Sequence, residues 1–183
     1  MTDRLTRATL ADLEVRGDGR TVVGIAVPFD APTAIRDASG SYDEVIRRGA
    51  FARTIRERGN RVKFLAQHDH RVLPLGRAHL LREDPTGLYA ELRVSQTTAG
   101  DEVLELVRDG ALDALSIGFR PQRDRWSADR SMVERLEVRL DEISAVAFPA
   151  YESALIAGVR GDLHVIPSES AHRRLELLRK AVS

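Results

Sequence analysis

The chain reads as a mainly β domain with a few helices, an α+β arrangement in which six or seven strands form a small closed barrel surrounded by two or three helices. Three observations predict this. Short β-branched runs dominate the pattern. Helical stretches are few and scattered, rather than alternating with strands as βαβ winding requires. The length, 183 residues, suits one domain that buries a core without covalent staples.

Residues 20–29 (RTVVGIAVPF) form a β-rich run that ends at Pro28. Residues 30–42 carry Pro32, Asp37, Ser39 and Gly40, a loop composition. Residues 49–58 predict a short helix, with Phe51 and Ile55 four apart and Gly59-Asn60 as its stop. Strands are expected over 61–68, 76–82 and 87–95, the last two joined by the turn EDPTG. Residues 98–109 predict a helix: Thr98 and Asp101 have capping-box spacing, and Val103, Leu104 and Val107 share one face. Gly110 is placed to end it. Residues 113–120 form the next strand, and the polar stretch 121–131 around Trp126 reads as a long hairpin loop. Residues 134–148 alternate as one long strand closed by Pro149. A linker over 161–170 leads to a last helix over 171–182, so the chain divides into a domain at 1–160 and a tail at 161–183.

Charge and composition exclude several functions. Lys plus Arg is 28 and Asp plus Glu is 28, a neutral balance unlike that of a general nucleic-acid binder or an electrostatic membrane anchor. Without cysteine there is no disulfide, thiolate metal site or cysteine nucleophile, which fits a reducing cytoplasm. The first ten residues lack the apolar core of a signal peptide. No apolar run approaches the ~18 residues of a membrane span.

Strand parity selects the residues that can carry chemistry, because alternate side chains share a face. His68 falls in line with Val62, Phe64 and Ala66, an apolar row, and reads equally as a satisfied core histidine. Ser116 lies opposite Leu115, Ile117 and Phe119, between the small residues Ala114 and Gly118, which leave space above its hydroxyl. It also reads as a plain solvent-facing serine. Glu142 falls in line with Val138 and Leu140, where a carboxylate is costly unless paired; a twist or bulge that turns it outward is the alternative. Asp141 falls with Glu137 and Arg139, an ordinary solvated stripe. His68, Ser116 and Glu142 together have the residue types of base, nucleophile and orienting carboxylate. A competing set is a metal site built on His68, His70 and His79, with His68 and His70 on one strand face.

Seven segments, in order, resemble one known family: GIAVPFD (24–30), RGAFARTI (48–55), FLAQHD (64–69), LGRA (75–78), GLYAEL (87–92), LSIGF (115–119) and EISAVAFPA (142–150). Each is weak alone, but their order and separations are similar to those of the prohead proteases of tailed bacteriophages. That resemblance implies a fold related to the herpesvirus assembly proteases. It implies a serine endopeptidase that removes the scaffolding segment of the major capsid protein, and cuts itself, inside the immature head in the host cytoplasm. It puts the family's histidine on His68, its serine on Ser116 and its acid on Glu142. His70 stands where the family often has proline. No cofactor or metal, no nucleic acid and no membrane is expected, and self-association as a dimer is. Arg77 and Arg120 read as surface arginines able to lend electrostatic help. The alternative functions are an inactive barrel-shaped assembly or scaffolding protein and a histidine-ligated metal hydrolase.

Overall fold

The computed structural model describes residues 5–10, 13–16, 19–37 and 40–147. Its strands are β1 (Leu5–Leu10), β2 (Glu14–Arg16), β3 (Thr21–Pro28), β4 (Thr33–Asp37), β5 (Gly40–Ile46), β6 (Lys63–Ala66), β7 (Gly76–Glu83), β8 (Gly87–Val94), β9 (Ala114–Trp126) and β10 (Met132–Val146). Two helices interrupt them, α1 (Ala52–Arg58) and α2 (Thr98–Arg108). The mainly β architecture with few helices is the one the sequence predicts. The strands make one sheet in the order β1-β9-β10-β6-β7-β8-β3-β2, with the β4–β5 hairpin attached to β10. It is a curled half-barrel: among the described residues no ladder joins β1 to β2, and the curl brings β1 alongside β3.

Strand β10 organises the molecule. It pairs antiparallel with β9 on one side; on the other it pairs parallel with β5 through Met132–Arg135 and with β6 through Glu142–Ala145. It is the one long strand that the sequence shows there, but its alternation is interrupted by register shifts. The core inside the curl includes Phe51, Phe64, Leu92, Phe119, Leu140 and Ile143, all almost without exposure. Each such side chain contributes about 1.5–3 kcal/mol of transfer free energy.

Local chemistry explains where expectation and structure differ. The region 30–42 is a β4–β5 hairpin rather than a loop, because Ile35 and Tyr42 pack with Val133 in a satellite cluster. The polar stretch 121–131 is mostly strand: β9 runs through Pro121 to Trp126, and the connecting turn is only Ser127–Ser131. Pro121 is tolerated because it pairs with Val138 beside a break in the ladder register. The N-terminal strands β1 and β2 are too polar to read as strands. β1 is held in part by Arg7, whose Nε lies 2.5 Å from Glu44 Oε1; Arg135 bonds the other oxygen of Glu44 at 2.6 Å. Helix α2 is capped by Thr97, whose Oγ1 accepts from Gly100 N at 3.1 Å, so the cap lies one residue before the predicted Thr98. Asp101 pairs with Arg20 at 2.5 Å instead. Gly110 follows α2 with φ +81°, the left-handed conformation that suits glycine at a helix end. Strand β6 stops at Ala66, two residues before the predicted end. The linker 161–170, the helix 171–182 and Pro149 lie outside the described residues.

Candidate active site

The end of β6 is set by backbone conformation. Gln67 and His68 both have left-handed φ, 51° and 57°, and Asp69 N donates to Ala66 O at 2.9 Å, which closes a tight turn. Such conformations cost non-glycine residues about 1–3 kcal/mol each and persist only where surroundings hold them. Here Gln67 N donates to Ala145 O at 2.9 Å and His68 N to Ser144 Oγ at 3.3 Å. The turn takes His68 off the strand, so the parity that aligned it with Phe64 does not apply. Its imidazole lies on the outer face of the sheet, partly exposed. His70 does not share a strand face with it, and both His70 and His79 are exposed.

Ser116 sits in β9 with its neighbours Leu115 and Ile117 in the core and its own side chain on the opposite, outer face, as parity predicts. Its direct partner across the ladder is Ser144. The hydroxyl is not open to solvent: Ser116 is 1% exposed, and the His68 ring lies against it. Ser116 Oγ and His68 Nε2 form a hydrogen bond.

Glu142 reaches the same place by a bulge. Leu140 pairs with Phe119 and Glu142 with Gly118, so Asp141 and Glu142 together oppose one residue of β9. A bulge of this kind changes which residues face the core. Val138 and Leu140 before it, and Ile143 and Ala145 after it, point inward. Glu142 therefore does not share the core face of Leu140, as simple alternation predicts. The bulge turns it outward, which puts its carboxylate on His68: Oε1 lies 2.7 Å from Nδ1. Ser144 Oγ donates to Oε2 at 2.7 Å. Glu142 is 1% exposed, and these bonds offset the cost of burying its charge.

Asp141 is no solvated surface residue either. Its Oδ1 accepts from Arg58 Nη1 at 3.1 Å and Arg139 Nε at 3.2 Å, and Arg120 Nε lies 3.0 Å from Oδ2 as an ion pair without hydrogen-bond geometry. Thr54 of α1 clamps the preceding residues of β10: its Oγ1 donates to Val138 O at 3.0 Å and accepts from Leu140 N at 3.1 Å. Sequence reading missed Ser144 and the Asp141 cluster. The spacing E-x-S in the final strand was the available signal for the serine, since residues two apart in a strand share a face.

Beside the site, Lys63, Leu65, His70, Val72, Pro74, Asp141 and Glu142 line a hollow of about 210 Å³. The loop over it carries Leu73 almost fully exposed. Among the described residues no three His, Asp or Glu side chains converge as metal ligands, and no helix is long and apolar enough to cross a membrane. A hydroxyl, an imidazole and a carboxylate joined in series are the elements of nucleophilic acyl transfer.

The chain as a whole is similar to known proteins. The chain is 25% identical over 151 residues to the prohead protease of Enterobacteria phage HK97, covering 81% of this chain and 65% of that relative's length. In fold it is similar to the bacteriophage T4 capsid assembly protease, with a TM-score of 0.55 at 12% identity over 80% of this chain and 98% of that one. The family model described as caudovirus prohead serine protease matches residues 9–166. With that match running over most of its length, the chain belongs to the caudovirus prohead serine protease family.

Proposed function

We propose that the chain is a serine endopeptidase that cleaves the scaffolding segment of the major capsid protein, and itself, inside the immature head of a tailed phage. Ser116 is the nucleophile, His68 the general base and Glu142 the carboxylate that orients it. The observation that supports this best is the unbroken relay from Ser116 Oγ to His68 Nε2 and from His68 Nδ1 to Glu142 Oε1. Three residues 48 and 74 positions apart meet in the order that acyl transfer needs.

In this reaction His68 Nε2 accepts the Ser116 proton as Oγ attacks the scissile carbonyl carbon. The tetrahedral intermediate collapses, the peptide C–N bond breaks, and the imidazolium returns its proton to the leaving amine. Water then attacks the ester, giving its proton to His68; the acyl C–Oγ bond breaks, the imidazolium returns that proton to Ser116 Oγ, and the acid is released. Glu142 holds Nδ1–H and so fixes Nε2 as the acceptor, and its charge stabilises the imidazolium.

The test is co-expression with the capsid protein. Ser116→Ala removes one oxygen from a folded site, and the capsid protein is expected to stay full length. Normal processing by a folded Ser116→Ala variant would falsify the assignment and favour an assembly protein without activity.

A further inference from the structure

We propose that Ser144 is a positioning residue of this site: one hydroxyl holds both the Glu142 carboxylate and the strained His68 turn. The inference rests on the Ser116–His68–Glu142 reading. Ser144 has no solvent exposure. Its Oγ donates to Glu142 Oε2 at 2.7 Å and accepts from His68 backbone N at 3.3 Å. A hydroxyl carries one hydrogen and two lone pairs, so it can make both bonds at once.

Each bond answers a specific softness in the geometry. The terminal torsion of a glutamate is broad and roughly two-fold, so the orientation of the carboxylate depends on what holds each of its oxygens. The Ser144 bond pins the second oxygen. The His68 backbone is left-handed at φ 57°, an unfavourable state for a residue with a Cβ. The bond to Ser144 gives its N–H a partner only in that turn. Ser144 is also the direct cross-ladder neighbour of Ser116. The residue that fixes base and acid is therefore tied to the strand position of the nucleophile. A serine that merely fills space in a ladder would make neither bond.

The test uses the full chain and a fluorophosphonate probe, which forms a P–O bond at Ser116 and expels fluoride while His68 takes the proton. The labelling rate is resolved into its maximal value and the half-saturating probe concentration. Ser144→Ala is expected to lower the maximal rate about 10- to 100-fold, at the low end of general acid–base contributions, with half-saturation within about threefold. Ser144→Thr, which keeps the hydroxyl, is expected to recover to within about fivefold of the natural chain. The deciding comparison is the double variant. Because Ser144 shares the Glu142 carboxylate and the His68 turn with the same unit, Glu142→Gln with Ser144→Ala is expected to fall well short of the product of the two single losses, leaving only the part that comes from the His68 bond, since residues acting as a unit are not additive. Multiplying effects, or a folded Ser144→Ala that labels at the natural rate, overturns the inference while leaving the triad standing. Glu142→Gln labelling at the natural rate overturns the Glu142 assignment and this inference with it. Should the threonine variant fail to fold, the double variant alone decides.

Discussion

Ser116 and Ser144 are direct partners across the β9–β10 ladder, and His68 spans them. Its ring nitrogen Nε2 bonds Ser116, and its backbone nitrogen bonds Ser144. Opposed side chains in an antiparallel pair stand only about 4.5–5.5 Å apart at Cβ, so both anchors of the histidine belong to one rigid patch of sheet. This arrangement ties the position of the His68 ring to the register of the β9–β10 ladder.

His68→Ala should abolish fluorophosphonate labelling of Ser116, with a loss of several orders of magnitude as for the base of a triad. His70→Ala should cost less than about fivefold, because His70 is an exposed loop residue at the rim of the hollow beside Glu142. Equal and severe losses would indicate that the two histidines act together.

Glu142→Gln keeps volume and removes charge. The expected fall in cleavage rate is about 10- to 1000-fold, around the lower end of acid–base terms, which are about 10²–10⁴. Capsid protein cleavage by purified variants measures it, after circular dichroism confirms folding. Activity should persist in a strong chelator; loss in chelator and recovery with zinc would move the assignment to histidine–metal chemistry.

Asp141→Asn removes the charge on which Arg58, Arg120 and Arg139 converge. Hydrogen bonds to charged groups contribute about 1.5–3 kcal/mol each when well formed. With this partly exposed cluster, a total loss of about 1–2 kcal/mol in unfolding free energy is expected. Because the bulge at Asp141 aims Glu142, the labelling rate at Ser116 should also fall, by about 3- to 30-fold. Chemical denaturation and labelling of the same preparation check both. Unchanged labelling in a destabilised variant would separate the cluster from the site.

Gln67→Gly should raise stability by about 0.5 kcal/mol. The left-handed φ of 51° costs a side-chain-bearing residue roughly 1–2 kcal/mol, against about 0.5–1 kcal/mol of added unfolded-state entropy for glycine. Thermal unfolding would show a rise of roughly 1–2 °C. A fall would mean that the Gln67 side chain contributes more than its backbone costs.

The far end of β9–β10 should loosen in acid. Bonds from Arg125 and then Arg47 hold the Glu134 carboxyl at about 2, below its usual range. A carboxylate depressed in the folded state contributes stability that is fully present above the unfolded value, near 4.3. That stability is lost as pH falls from there through about 2. Trp126, the chain's one tryptophan, pairs with Val133 next to Glu134 and stacks edge-on with Tyr42 at 5.1 Å. Its fluorescence should change over that window, and Arg125→Ala should move the change to higher pH.

Strand alternation and turn chemistry in the sequence were enough to determine the mainly β class, the α2 face of Val103, Leu104 and Val107, and the outward side of Ser116. These depend on local periodicity, which a single chain displays directly. Strand β1 and the β4–β5 hairpin were not legible, because what holds them lies far away in the chain: Glu44 meets Arg7 across 37 residues and Arg135 across 91. The sequence offers His68, Ser116 and Glu142 as candidates, but simple parity puts two of them on faces that the structure does not give them. His68 was assigned to a strand it has already left, and Glu142 to a core face from which a bulge removes it. Alternation holds only while the ladder is regular. A left-handed turn and one extra residue in β10 each break it, and both depend on partners supplied by other elements: Ala145 and Ser144 of β10 for the turn, Arg58 and Thr54 of α1 and Arg120 of β9 for the bulge. Tertiary structure alone decided where these side chains meet, because only in the folded sheet are those partners close enough to stabilise conformations the isolated segments would not adopt.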